Sequence, residues 1–473
     1  MKIRSDILRV YREVHSWVGI CAGLLLFVAF FAGAISMFEQ PLQNLTTPRL
    51  DMPAAVPLSR TPELLDQIFR AYPQARQNYT VVLAPDRSLP GRVAWPARPP
   101  HGHDFGPLLV ATLGPDGALA VRQQAVAPVA HFIDMLHQKL GLPLPQSISR
   151  PVMGIVALLY GLALISGVII FLPTLVRNLF AFRVGEGSRK FWLDLHNLLG
   201  FFSLPFHIVM ALTSVVFAFH DPIFAVQGRL FGGHPASHAP THAASRPLDP
   251  EQQGTPALLA PAELVVALNK AAPGFIPTTL AYSRNGRGGM MLRVSGQDSR
   301  YSLRGPTAGF ATVDPATGRI LSSEYLPGHQ KAGFAILTVF FALHFGSFGG
   351  TATRWGYVVL GLAGAVMFYT GNRLWVNARR RRERAAGLSR DSLPTGLLAR
   401  LTPGWATGCV AGCTVILTAG YAVPDRMTDD VVEGVYYAVF LTCIAIFLLK
   451  PGAAAGAQDL AQRSSQSLKK PSL

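Results

Sequence analysis

The sequence predicts a membrane α-helical bundle of about six transmembrane helices. It reads as two parallel helix–domain–helix repeats plus a C-terminal helical pair, with two extracytoplasmic α+β modules. Three observations carry this. The 473 residues are 50% hydrophobic and 14% charged, with a mean hydropathy of +0.31, too apolar for an ordinary soluble protein. Six stretches are apolar enough to cross a hydrocarbon core of about 30 Å, which needs roughly 20 helical residues. Two long polar segments fall at matching places between them.

The first span covers about 14–38, "VHSWVGICAGLLLFVAFFAGAISMF". It lacks a small-residue cleavage site, so it reads as a span and not as a removed signal. With the N-terminal segment it makes up 1–38. A polar module follows at 39–150, then the second span at 151–173 and a basic loop at 174–191. The third span, 192–219, contains "DLHNLLGFFSLPFH"; the second polar module is 220–330. Residues 331–376 hold an interfacial Leu-His segment and the fourth span. A basic loop, 377–403, leads to a helical hairpin at 404–449 and a tail at 450–473.

Orientation follows from the basic residues at the span ends. "MKIRSDILRVYR", "RNLFAFRVGEGSRK", "NARRRRERAAGLSR" and the closing "SLKK" fall on one side if the spans alternate. Both termini are then cytoplasmic and both polar modules lie outside. The net charge of +16 belongs to these loops and not to nucleic-acid binding. Cys21, Cys409, Cys413 and Cys443 all lie in apolar stretches, which excludes a disulfide framework outside the membrane.

The repeat is written in short motifs. Span one opens "VHSWVG" and span three "LHNLLG", placing His15 and His196 in corresponding positions. Each polar module ends in a Leu-His stretch, "HFIDMLHQKLG" with His137 and "VFFALHFGSFGG" with His344. Spans two and four carry the small pairs Ser166-Gly167 and Thr370-Gly371. The polar modules also match: "TPELLDQIFRAYP" and "PAELVVALNKAAPG" are amphipathic helix patterns, followed by strand-like runs. Two copies that both start inside are related by an axis along the membrane normal.

Ionisable residues inside a span are rare and mark function by default. His196 and His207 are eleven residues apart, about 20° off three turns of a straight helix and about 16.5 Å along it. Two imidazoles on one face at that spacing suit two stacked haems, and ligation removes the cost of burying an unpaired ring. His15 can meet His196 near the inner face. Near the outer face His207 can meet His137 or His344, or those two can pair with each other. The bland reading is interfacial snorkelling for His15 and packing for His207.

In this order and spacing the motifs, with "LHFGSFGG" and "DPATGRI", resemble the PepSY-associated transmembrane family over about residues 7–377. Its members include iron-regulated inner-membrane proteins and di-haem ferric-siderophore reductases. The resemblance implies two PepSY-like outer modules and, in the reductase branch, two b-type haems carrying electrons to a periplasmic ferric chelate. His15, His137, His196 and His344 match its recurrent histidine positions. Span three has "ALTSV" where the family tends to Thr-Gly, and the hairpin at 404–449 extends beyond the common core. No flavin or nicotinamide site occurs in the chain, so a separate donor, a cytoplasmic reductase or a quinol, must supply electrons.

Two further histidine groups stand outside this scheme. His234, His238 and His242 recur at four-residue steps in "GGHPASHAPTHAAS", and His101, His103 and Asp104 in "PPHGHDFG"; both are candidate metal groups, set among Gly and Pro that favour loops. "RRRRER" at 379–384 reads as a topology anchor and anionic-lipid contact. The expected function is thus an inner-membrane haem-dependent ferric-siderophore reductase. The rivals are a membrane-anchored interaction protein built on PepSY modules, and a permease for iron or a chelate, for which the spans offer few acidic or amide groups.

Overall fold

In the computed structural model the described residues are 4–98, 107–125, 127–174, 188–231, 258–284 and 289–450. Four helices are long and apolar enough to cross a membrane, or up to six if each of two bent pairs counts as one span. Helix α1 (Ser5–Ser36) runs first and α2 (Glu39–Thr46) caps its far end. At 1.5 Å per residue α1 is about 48 Å long, more than the hydrocarbon thickness, so its polar first turns project beyond it. Its buried face is made of small residues, including Ala22, Gly23, Ala29, Ala32 and Ala34. Between lipid-embedded helices such residues let backbones approach closely. A Cβ on Gly23 would come 2.7 Å from Asn372 Oδ1, so a fourth-span helix lies directly against it.

The first polar region supplies α3 (Thr61–Ala71) and four strands, β1 (Asn78–Val82), β2 (Val93–Pro96), β3 (Leu108–Leu113) and β4 (Leu119–Gln124). Helix α4 (Val129–Gln138) then leads into α5 (Gln146–Phe171), the second span. The third span is α6 (Ser188–Phe202) and α7 (Leu204–Phe231). The second polar segment gives α8 (Pro261–Ala271), β5 (Ile276–Arg284), β6 (Met290–Gln297), β7 (Gly309–Val313) and β8 (Ile320–Tyr325). The fourth span is α9 (Ala332–Phe345) with α10 (Gly350–Ala385), and the hairpin is α11 (Leu393–Ala422) with α12 (Asp429–Leu449).

Three expectations need correction. The outer modules do not hold separate sheets: the eight strands form one antiparallel sheet in the order β4-β3-β2-β1-β5-β6-β7-β8. β1 pairs with β5 through Thr80 and Ala281, and the rings of Tyr79 and Tyr282 stack there at 4.6 Å. Leu64 and Ile68 of α3 and Leu264 and Leu268 of α8 share one buried core with both halves. The unpaired N–H and C=O groups along the β1 and β5 edges satisfy one another by this pairing. Second, the third span is not straight. It bends by 68° between α6 and α7. Pro205 has no N–H for the carbonyl four residues back, and Ser203 turns its hydroxyl onto the Leu199 carbonyl. The single-face arithmetic for His196 and His207 therefore does not apply. Third, α11 begins at Leu393, eleven residues before the expected 404. Glu383 accepts hydrogen bonds from the Ser392 amide at 3.0 Å and from the Ser392 and Thr395 hydroxyls at 2.5 and 2.7 Å, anchoring the start of that helix.

The hairpin docks on the core. Gly404, Gly408 and Gly412 of α11 lie against Phe447, Phe440 and Tyr436 of α12, and Gly420 lies against Val129 and Thr46. The α9–α10 pair bends by 57° where Gly346 and Gly350 take φ of +62° and +64°, the left-handed region glycine favours. "DPATGRI" is the β7–β8 turn: the Asp314 carboxylate accepts from the Ala316 amide and the Thr317 hydroxyl.

Asp86, in the β1–β2 loop, ties the sheet to the bundle. It accepts from the Ser88 amide and hydroxyl at 2.9 and 2.6 Å and the Leu89 amide at 3.0 Å, and from Asn44 and Gln40 of α2 at 3.1 and 3.3 Å. Burial pushes this carboxyl up, but the hydrogen bonds from Ser88, Leu89 and Asn44 outweigh it and hold it below the usual carboxylate range. Its contribution is then complete at neutral pH and fades as pH falls through and below about 4. Asp86→Asn is expected to lower unfolding stability by about 1 kcal/mol at pH 7, with the gap from the parent closing toward pH 3. Thermal melts of the detergent-purified protein across that range check it.

Candidate functional site

Four of the five histidines of the spans and Leu-His segments come together as two facing pairs. At the end of the bundle away from the sheet, His15 of α1 and His196 of α6 have ring centroids 6.3 Å apart, with planes at 76°. At the sheet end, His137 of α4 and His344 of α9 have centroids 6.1 Å apart, at 42°. Along α1, His15 and the Ala29 carbonyl that holds His137 are fourteen residues apart, about 21 Å of helix.

Each ring is held at Nδ1. His15 Nδ1 lies 2.9 Å from the Ala163 carbonyl oxygen, and His196 Nδ1 lies 3.1 Å from that of Met367. His137 Nδ1 lies 2.7 Å from the Ala29 carbonyl oxygen. A carbonyl only accepts, so Nδ1 carries the hydrogen in these three and Nε2 keeps its lone pair. His344 Nδ1 is 2.8 Å from Thr213 Oγ1, and that hydroxyl donates to the Val209 carbonyl at 2.7 Å. Its oxygen is therefore left to accept from His344, which takes the same tautomer.

The surroundings match like for like. Beside His15, Ser166 Oγ is 3.4 Å from Nδ1 and a Cβ on Gly167 would come 3.1 Å from Cε1. Beside His196, Thr370 Oγ1 is 3.0 Å from Nδ1 and a Cβ on Gly371 would come 3.3 Å from Cε1. Both hydroxyls also donate to carbonyls of their own helices, at 2.8 Å each to Leu162 and Met367. Within each half, then, the first span holds the Leu-His histidine and the second span holds the first span's histidine. The facing pairs form across the halves. At the sheet end, a Cβ on Gly33 would come 2.7 Å from His137 Nδ1. The departure at "ALTSV" falls at this point of the second half, where Thr213 serves His344 in place of a backbone carbonyl.

His207 is different. It is fully buried, ringed by Phe30, Phe206 and Phe368, with Nδ1 2.5 Å from the Tyr160 hydroxyl. Its Nε2 is buried with no hydrogen-bond partner. If Tyr160 donates to Nδ1, the one stranded group is Nε2–H. The reverse would strand both the phenol hydrogen and the Nε2 lone pair. The first arrangement therefore wins, since each stranded group costs about 1–3 kcal/mol. The outer pairing of His207 with His137 or His344 is not what the fold makes; those two face each other.

A cavity of about 520 Å³ adjoins the sheet-end pair, within the size range of cofactor and small-ligand sites. His137, His344, Gly33, Met153, Ala157 and Met210 line its interior, and Glu39, Asp134, Arg150 and Arg354 stand among its polar lining. Burial, then the neighbouring Asp134, pushes the Glu39 carboxyl up to about 7. Two imidazoles bound on opposite sides of one ion through bonds of about 2.0–2.1 Å have ring centres about 6.3 Å apart. Both pairs have that spacing, with Nε2 free on all four rings. His101, His103, Asp104, His234, His238 and His242 lie outside the described residues.

The sequence picked out all five histidines and the small pairs beside two of them. It missed Tyr160, Thr213 and the carbonyls of Ala29, Ala163 and Met367. Backbone acceptors leave no residue-type signal; the hydroxyls were in view, one of them within "ALTSV".

The model for the family described as PepSY-associated TM region matches residues 12–378. No curated protein matches the chain. The match takes in both histidine pairs, His207, Tyr160 and the cavity, and stops before α11 and α12. The chain is a membrane-helical protein of the PepSY-associated TM family.

Proposed function

We propose that this protein is a di-haem b oxidoreductase of the bacterial inner membrane that reduces a ferric chelate of siderophore type in the periplasm, for iron release. The observation that carries the reading is the pair of facing imidazole pairs. Four Nδ1–H groups are anchored, four Nε2 lone pairs are free, and both centroid spacings suit one iron between two rings. His15 with His196 and His137 with His344 would each hold one haem; bound there, it supplies a one-electron iron couple inside an apolar core. The chain's own contribution is positional. The carbonyl and hydroxyl anchors fix each ring and raise its basicity, as partners behind metal-bound histidines do. Gly33, Gly167 and Gly371 leave room beside the rings, and the apolar lining excludes water. Arg150 and Arg354 place cationic groups at the polar lining of the sheet-end cavity, suited to anionic groups of a ligand.

The basic segments support a cytoplasmic position for the end away from the sheet and a periplasmic one for the sheet. The like-for-like anchoring of the two pairs supports two helix–domain–helix repeats about an axis along the membrane normal. Electrons enter from a separate cytoplasmic reductase or a quinol. Reduction of the chelate loosens it, because hard oxygen ligands hold the more highly charged ion better.

The purified protein is expected to carry about two b-type haems per chain, read by absorption after air oxidation and dithionite reduction. His15→Ala or His196→Ala should remove one haem, His137→Ala or His344→Ala the other, and His207→Ala should retain both. A colourless protein from haem-replete cells would sink the reading and leave the non-enzymatic interaction role. The anchors give a subtler test. Thr213→Val leaves His344 in place without its acceptor and should weaken retention of the sheet-end haem about 10–100-fold, against an unchanged far-end haem, in titrations of apoprotein with haem.

A further inference from the structure

Helix α4 carries three chemistry-bearing residues at steps of three, His131, Asp134 and His137. His137 faces His344. Asp134 lines the same cavity one turn nearer the helix start, and His131 is exposed one turn further. Glu39, the first residue of α2, comes in beside them. One ligand atom each from Glu39, His131 and Asp134 all lie within 4.8 Å of one another. Glu39 is partly buried, and among the described residues it has no hydrogen bond or ion pair; a carboxylate oxygen of Asp134 lies beside it. Asp134 accepts only from the Gln138 amide, at 2.7 Å, among the described hydrogen bonds. Two carboxylates held this close repel one another when both are ionised. A dication placed among them turns that repulsion into binding energy and uses the imidazole as a third ligand.

We propose that Glu39, Asp134 and His131 form a binding site for a divalent first-row transition cation at the rim of the sheet-end cavity. Two carboxylates and one imidazole suit Fe²⁺ or Mn²⁺ better than Ca²⁺ or Mg²⁺, which prefer oxygen alone. The site stands on this geometry. That its working occupant is Fe²⁺, captured as it leaves a reduced chelate, rests on the reductase reading above. The placement fits that role: the carboxylates line the cavity that holds the His137–His344 pair, and His131 opens to solvent.

The test is Mn²⁺ binding to the detergent-purified full chain, followed by loss of the free-ion paramagnetic resonance signal, with haem counted on the same samples. Mn²⁺ is the probe because it binds histidine-rich loops weakly. One site is expected whose affinity falls at least about tenfold in Glu39→Gln and in His131→Ala. His131→Ala changes an exposed position, so its fold is secure. Unchanged Mn²⁺ affinity in both variants overturns the site, whatever the haem content. Loss of binding in both, in a protein without haem, keeps the site while removing the reductase reading and Fe²⁺ as its occupant.

Discussion

Everything in the bundle depends on the hydrogen bond at histidine Nδ1. An imidazole placed among apolar helices without a partner costs about as much as any buried unsatisfied polar group, about 1–3 kcal/mol, and these spans bury several. The protein meets that cost at one nitrogen of each paired ring, with the Ala29, Ala163 and Met367 carbonyls and the Thr213 hydroxyl. The bond does two things at once. It fixes the ring's orientation, and it fixes the tautomer, so the opposite nitrogen keeps its lone pair. The chemistry of the pairs therefore follows from how their other side is held.

Small residues make this geometry reachable. α1 packs through a face of alanines and Gly23, and a side chain at Gly33, Gly167 or Gly371 would press on a histidine ring. With no hydrophobic drive between helices in lipid, close van der Waals packing is what holds them, and it demands such residues. The eight-stranded sheet adds a second tie. β1 joins β5 edge to edge, so the two halves are fastened at the Tyr79–Tyr282 stack as well as inside the bundle. Facing pairs formed across halves need the halves held in one relative position. The joined sheet and the cross-packed helices both supply that.

His207 shows the opposite use of the same residue type. Tyr160 occupies its Nδ1, and aromatic rings close round it. Its stranded Nε2 is an expense that no packing argument accounts for. The bend at Pro205 is what brings it to that place, since a straight helix would have stacked it on the face of His196.

The sequence by itself determined the membrane character, the order of apolar spans and polar segments, and four histidines that the fold brings together in pairs. These are properties of composition, hydrophobic length and motif order, which act locally along the chain. The meeting of His15 with His196 was also legible, because both open their spans in the same H-x-x-x-G setting. The break in the third span was written in "SLPFH" and was there to be read. Only the tertiary structure decided that His137 faces His344, because two residues more than 200 positions apart meet through helix packing that no local pattern encodes. It alone decided that eight strands make one sheet, since an edge pairing between distant segments depends on which faces are left open after each half has folded. It also chose the backbone carbonyls that anchor the rings. Every residue carries that acceptor, and only the packing of one helix on another selects which of them a histidine meets.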